Sequence, residues 1–402
     1  MTSRPRFTLA VALSLGSSVV PGVAEAAWTF YDSLGRIERV EQGSGAAQRT
    51  VAYAYSPTSG YLESITDPLN RIVRFERDEA GRVTTQILPD LREIGISYDG
   101  NGNVTSVTPP TRPAHDFDYT LYDQLETYTP PPAGFTPRAT TYAYNLDGQV
   151  TAITRPDGQQ IVPAYEASGR LDFVTIPGGT IDTAYDAAGR ISAISAPGGV
   201  SQSFTYSGPL VTAMTTAGPV PGSVGFVYSN DFAVTSRTVN GGDAVAFTYD
   251  DDGLLTQAGA LVLGRNAASG FLETTTLGTT SDSRTRTTFA ELDAYSSLAN
   301  GSPVYAFDLD RDRQGRITAK TETMEGVTSF WEYSYHPQRG WLTEVKKDGL
   351  VVESYGYDDN GNRTTWDDFW GTGAATYDDQ DRMLTAGPRS YTYTNNGELL
   401  TK

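Results

Sequence analysis

Clustered carboxylates are the first residues in this sequence whose types and spacing could do chemistry. Asp250-Asp251-Asp252, Asp358-Asp359 and Asp378-Asp379 offer the paired acids that glycoside hydrolysis places roughly 5–10 Å apart across a substrate. Each cluster follows a tyrosine and precedes a glycine or a polar turn residue, in a segment that recurs elsewhere without the extra acid. That reads as turn chemistry rather than catalysis, and a hydrolase would have to rest on Asp251 and Asp359. Asp308-x-Asp310-x-Asp312 and Asp99-x-Asn101-x-Asn103 open like a calcium loop. The loop's glycine position holds Arg313 or Val104 and its final glutamate position holds Ala319 or Pro110, so the pattern fails. No cofactor is expected beyond adventitious calcium at exposed turns. The two histidines, His115 and His336, have no partner at metal-ligand or acid–base spacing, and there is no cysteine. Thiol catalysis, cysteine-held zinc, disulfides and iron–sulfur clusters are thereby excluded, and neither a Gly-x-Ser-x-Gly elbow nor a phosphate loop occurs.

Acidic residues outnumber basic ones, 48 to 30, for a net charge of −18, and only four of the basic residues are lysines. Phosphate backbones require clustered positive charge, so nucleic acid is not an expected partner. Charged residues make up 19% of the 402-residue chain and aromatics 11%, a composition that folds rather than one that stays disordered. The first 26 residues read as a Sec signal: Arg4 and Arg6, an apolar run from Phe7 to Gly16, and an Ala24-Glu25-Ala26 cleavage motif with Ala27 as the mature start. No later apolar run is long enough to span a membrane, which predicts export to the cell surface, the periplasm or the medium.

The elements that position these residues come from a repeat. Tyr31-Asp32-Ser33-Leu34-Gly35-Arg36-Ile37 returns as Tyr165-Glu166-Ala167-Ser168-Gly169-Arg170-Leu171 and as Tyr185-Asp186-Ala187-Ala188-Gly189-Arg190-Ile191. Looser copies include Tyr98-Asp99, Tyr144 with Gly148, Tyr249-Asp250 with Gly253, Tyr357-Asp358 with Gly361, and Tyr377-Asp378. Gly81-Arg82 and Gly315-Arg316 close copies that lack the tyrosine. Successive anchors between Tyr144 and Tyr249 lie 20 to 22 residues apart. Such a period marks a repeat architecture in which each unit buries its apolar face only by stacking on neighbours.

Each unit reads as a β-hairpin. Aromatics two residues apart, as in Phe204/Tyr206 or Tyr355/Tyr357, place both rings on one strand face. Asp-x-x-Gly then makes the hairpin turn: the aspartate accepts a nearby backbone N–H and glycine takes the positive φ. The return strand opens with Gly-Arg-aliphatic and ends at a linking turn such as Pro156-Asp157-Gly158 or Pro197-Gly198-Gly199. Its aliphatic residues lie three apart, as in Ile191 and Ile194, which calls for either a bulge or contact on both faces. The repeated arginines read as structural donors that stack on tyrosines or bridge turn carboxylates. The pattern thins at 108–137 and 258–300, read here as irregular units or surface loops. A β-propeller of two repeats per blade is the alternative architecture; turn regularity every 21 residues rather than every 42 argues against it.

The Tyr-Asp-x-x-Gly-Arg-aliphatic unit resembles the YD repeat of Rhs proteins, polymorphic toxins, Tc-toxin cocoon components and teneurins, across about residues 28 to 402. The resemblance implies an all-β fold: tandem hairpins forming a spiralling sheet strip, part of a hollow Rhs-type shell. It also implies a non-enzymatic function, enclosing or presenting another polypeptide, with a cargo chain or a complementary shell segment as partner. Self-cleaving members carry an Asp-Pro-x-Gly-type motif after the repeats. The Asp67-Pro68-Leu69-Asn70 of this chain occupies an ordinary repeat turn, so no protease role is carried onto it. No core or toxin domain is recognised in the sequence. A carbohydrate-binding adhesin using the aromatic stripe is the alternative function, with a cell-surface glycan as partner.

Overall fold

The computed structural model describes residues 27–134 and 138–402. The expected signal and the Ala26 side of its cleavage point lie outside the described residues; Ala27 is the first one inside. Described residues form 37 β-strands and two three-residue 3-10 turns, with no α-helix. Strands of five to eight residues pair antiparallel with their neighbours in the chain, as Thr183↔Ile194 and Ile194↔Gln202 show. Short connections make this inevitable, because a strand followed by a tight turn can only fold back on itself.

Hairpin after hairpin shares one irregularity. Ala184 faces Ala193 and Tyr185 faces Ile191, so Ser192 is an extra residue on the return strand. The same shift immediately precedes Tyr144, Tyr206, Tyr249, Tyr335 and Tyr377. A bulge therefore sets the three-residue aliphatic spacing. The thinned stretches carry strands as well: His115–Tyr119 pairs with Leu125–Thr129, and Leu261–Arg265 with Leu272–Leu277. Their turns are held by other acceptors. Thr120 Oγ1 takes the N–H groups of Tyr122 and Gln124, and Asn266 Oδ1 those of Ala268 and Ser269, which is why a search for Asp-x-x-Gly passes over them.

The chain divides into two compact units. One takes the described chain up to Arg92 with Asn266–Phe271 and Asp282–Val351; the other takes Glu93–Arg265, Leu272–Ser281 and Val352–Lys402. Burial is shallow. Ile65, Val73, Ala319 and Val345 in the first unit and Ala375, Pro131 and Pro156 in the second are the buried apolar side chains among the described residues, so most apolar groups are only half-covered. A strip one layer thick cannot bury side chains as a packed sandwich does. Polar contacts therefore carry much of the specification.

Candidate functional site

The repeat turn is a charged, fully coordinated unit. Asp186 Oδ1 accepts the backbone N–H groups of Ala188 (2.9 Å) and Arg190 (3.0 Å), and Oδ2 accepts Arg190 Nε at 2.7 Å. Asp32 with Arg36, Asp78 with Arg82, Asp312 with Arg316 and Asp378 with Arg382 repeat this geometry; the longer Glu166 accepts the Arg170 guanidinium and the Ser168 hydroxyl. Gly35, Gly148, Gly169, Gly189, Gly253, Gly315 and Gly361 all take positive φ. Four of these guanidinium groups also cover the next repeat's tyrosine at the same distance: Arg36 lies 4.3 Å from the Tyr55 ring, Arg170 from Tyr185, Arg190 from Tyr206 and Arg316 from Tyr335. One arginine thus ties its own turn to the following hairpin.

The tyrosine hydroxyl closes the unit. Tyr206 donates to the carbonyl of Ile191, the residue paired with Tyr185 at the preceding bulge. Tyr144 bonds the Leu125 carbonyl, Tyr165 that of Val150, Tyr185 that of Leu171, Tyr249 that of Val234 and Tyr377 that of Arg363. A bulge disrupts the ladder and leaves a carbonyl without its strand partner; the next tyrosine supplies the donor. Where arginine replaces the tyrosine, it does the same work, with Arg265 bonding the Leu255 carbonyl and Arg311 that of Leu292. Tyr98 and Tyr357 hold the same bulge register, facing Val104 and Arg363, and Tyr31 faces Ile37. Sequence reasoning placed these rings but not their hydroxyls. For Tyr144, whose phenol is raised above its ordinary pKa by burial, the expected effect of Tyr144→Phe is a loss of about 1–2 kcal/mol, because the Leu125 carbonyl is left unpaired. Chemical denaturation against the parent chain checks it.

The acids have partners that hold them charged. The guanidinium of Arg190 beside Asp186, and that of Arg82 beside Asp78, keep these carboxyls below the usual aspartate value, as the Arg36 amide does for Asp32. A depressed folded-state pKa contributes stability above the unfolded value of about 3.9, and that contribution disappears as pH falls through the folded value. Stability is therefore expected to hold from neutrality to about pH 5 and to fall steadily below about pH 4, which a pH series of melting curves will show. Elsewhere Glu322 accepts Tyr305, Lys320 and Trp331, and this hydrogen bond pushes the Tyr305 phenol up to about 12.

Two of the acidic clusters meet across a guanidinium, with Arg112 3.0 Å from Asp358 and 3.8 Å from Asp379, and the clusters are otherwise engaged in their own turns. Asp250 accepts the amides of Asp252 and Leu254, and exposed Asp251 lies in the same turn. Asp358 accepts those of Asn360 and Asn362, and Asp378 is tied to Arg382. Asp308 and Asp310 lie on the strand Ser302–Arg311, while Asp312 serves its turn. Asp99 and Asn103 bind each other, and Asn101 reaches Asp123. Among the described residues no group of three acids or histidines is disposed to hold a metal. His115 bonds and stacks on Tyr128, with burial lowering its pKa, and His336 Nδ1 accepts the amides of Gln338 and Arg339. An open cavity of about 430 Å³ beside Asp378, Arg382, Leu384, Tyr391 and Tyr393 has its carboxylate already engaged by Arg382.

What the sequence did not reveal is how turns meet across the fold. In the first unit, linking turns of the leading strip receive hairpin turns from about 240 residues later. Asp67 and Arg71 bind Gln314, Asp90 binds Arg339, and Arg49 is bidentate to Glu291. In the second unit Arg112 bridges Asp358 and Asp381, Gln380 donates to the carbonyl of fully buried Pro131, and Asn396 and Glu398 engage Asp157 and Arg155. Each unit is therefore two edges of hairpins joined turn to turn by charge-assisted hydrogen bonds.

An all-β strip of tandem antiparallel hairpins, each closed by a coordinated turn, defines the fold class. The sequence matches the Teneurin YD-shell family over residues 14–402, and the chain belongs to that family. No curated protein matches it significantly. Among solved structures it is similar to the crystal structure of TcdB2-TccC3-TEV, at 15% identity and a TM-score of 0.57, covering 93% of this chain and 23% of that one. TcdB2-TccC3 without its hypervariable C-terminal region gives 0.56 at 15% identity, over 92% and 23%. A Photorhabdus luminescens Tc holotoxin pore gives 0.53 at 15% identity, again over 92% and 23%. These likenesses concern the fold, and the chain spans about a quarter of the solved chains it matches.

Proposed function

We propose that this chain is an exported, non-enzymatic YD-shell segment that encloses or presents another polypeptide, as part of a polymorphic-toxin or cell-surface system. The observation that carries the reading is the match to a shell family over nearly the whole chain, joined to strips whose turns meet turns from about 240 residues later. Asp251 and Asp359, on which a hydrolase would rest, sit in repeat turns beside Asp250 and Asp358, which favours a scaffold. The aromatic stripe that a glycan-binding surface would use is likewise engaged, its rings under guanidinium groups and its hydroxyls on carbonyls. Export rests on the signal read in the first 26 residues, and the partner on the resemblance to Tc-toxin components.

The test is protease challenge of the native product, purified from the medium and surface fractions of its host. A polypeptide held inside a shell, whether a separate chain or a covalent continuation, resists digestion until the shell is unfolded. Recovery of the product with no such polypeptide, or one digested as fast as free chain, overturns the reading.

A further inference from the structure

An asparagine side chain can react with the next backbone nitrogen most readily when that residue is glycine, which has no Cβ to keep the two apart. The chain holds five such dipeptides: Asn101-Gly102, Asn240-Gly241, Asn300-Gly301, Asn360-Gly361 and Asn396-Gly397. All five lie in turns, so local structure does not rank them. The fold does, through two requirements. The glycine N–H must be unbonded, and the asparagine amide must be free to swing over it.

Three of the glycines are held. The N–H of Gly102 donates to the Asp99 carbonyl, that of Gly361 to Asp358 and that of Gly397 to Thr394. Their asparagines are held too: Asn101 donates to Asp123, Asn396 donates to Asp157, and Asn360 is engaged between Asp381 and Pro110. At the fourth, Asn240 Oδ1 accepts the Ser223 N–H at 2.7 Å, which turns the side chain onto the neighbouring strand. Asn300-Gly301 alone of the five meets both requirements. It is the exposed two-residue turn between the strands Leu292–Ala299 and Ser302–Arg311. Among the described residues neither the Gly301 N–H nor the Asn300 amide has a hydrogen-bond partner. A Cβ on Gly301 would meet nothing within 4 Å, so a ring closing there has room.

We infer that Asn300 is a self-modification site, at which the folded chain converts asparagine to aspartate and isoaspartate through a succinimide formed with Gly301. Solvent base removes the Gly301 amide proton and the nitrogen attacks Asn300 Cγ. An N–Cγ bond forms, the Cγ–Nδ2 bond breaks, and ammonia leaves with a proton from solvent. Water then opens the ring. Opening at Cγ gives aspartate; opening at the Asn300 backbone carbonyl gives isoaspartate, with the main chain routed through the side chain. One water is consumed, one ammonia is released and nothing is oxidised. Aspartate adds a negative charge to the turn. Isoaspartate adds a methylene to a turn whose length sets the Ala299↔Ser302 pairing, so the end of this hairpin has to re-pair.

Peptide mapping by mass spectrometry tests it, on the full chain incubated in mildly alkaline buffer, folded and in denaturant. Trypsin puts each dipeptide on its own fragment, because an arginine or lysine separates each from the next. In the folded chain the Asn300 fragment is expected to gain the mass of amide-to-acid conversion and to split into aspartate and isoaspartate forms. The other four should lag by about tenfold or more, the factor that one hydrogen bond given up before attack is worth. In denaturant all five should convert at similar rates. N300Q, whose longer side chain cannot close the five-membered ring, should remove the signal from its fragment and leave the others unchanged. A folded chain in which Asn300 converts no faster than Asn360 or Asn396 overturns the inference. So does a lead that persists in denaturant, since the local sequence rather than the fold would then make the selection. None of these results bears on whether a polypeptide is protected from protease, so the shell reading stands or falls separately.

Discussion

Replacing Asp67 with alanine is expected to lower stability by about 3–5 kcal/mol, the cost of stranding one partner of a buried ion pair. Asp67 is 3% exposed and Arg71 12% exposed. The carboxylate accepts the amides of Leu69 and Arg71 (both 2.9 Å), Arg71 Nε at 2.7 Å and Gln314 Nε2 at 2.9 Å. Truncation removes a turn acceptor, leaves a half-buried guanidinium without its carboxylate and loosens the junction to Gln314 in one step. Asp67→Asn should cost less, because an amide oxygen still serves the two backbone donors. The double variant D67L/R71M should recover much of the loss, since a buried pair exchanged for apolar groups of similar size is often near neutral. Denaturant titration of the three variants decides: a D67A cost under about 1 kcal/mol would mean that the pair is in effect solvated and worth no more than a surface bridge.

The second large effect separates two glycines that look alike in sequence. Gly81 and Gly253 hold the same place in the repeat turn, at φ 81° and 75°. A Cβ on Gly253 meets nothing within 4 Å, so alanine there carries only the left-handed strain of roughly 1–2 kcal/mol. A Cβ on Gly81 falls 2.4 Å from the Tyr61 ring, which Arg77 covers from 5.3 Å. Gly81→Ala must add displacement of the outer end of that ring, which is 47% exposed, at the low end of the 1–3 kcal/mol of overpacking, to the same strain, for a total of about 2–3 kcal/mol. Pairing it with Tyr61→Ala should return the cost to that of Gly253→Ala. Equal losses for the two single glycine variants would show that the ring moves aside freely.

Much of the fold is legible in the sequence because its causes are local. The 21-residue period, the Asp-x-x-Gly turn and the paired aromatics each act within one hairpin, and they predict an all-β repeat strip without reference to anything distant. The arginines are read almost as well, since Asp186 and Arg190 are four residues apart and Tyr206 is one repeat on. The bulge was legible only as an alternative: an aliphatic spacing of three fits a bulge or a two-faced strand equally, and the register of Tyr185 on Ile191 resolves it. The pattern thins at 108–137 and 258–300 because Thr120 and Asn266 cap turns as aspartate does, through a side-chain oxygen, while sharing none of its motif.

Which turns meet is a different matter. Nothing in Asp67-Pro68-Leu69-Asn70 distinguishes it from other linking turns, yet it is buried because Gln314 arrives there from 247 residues away. That distance is the product of twist and strand separation accumulated over many hairpins, and a small change per strand would deliver a different turn. The sequence by itself determined the hairpin, its repetition and its charged turn, since these depend on contacts a few residues long. Only the tertiary structure decided which turns meet and which of them are buried, because contacts between distant repeats follow from the summed geometry of the strip rather than from any one unit.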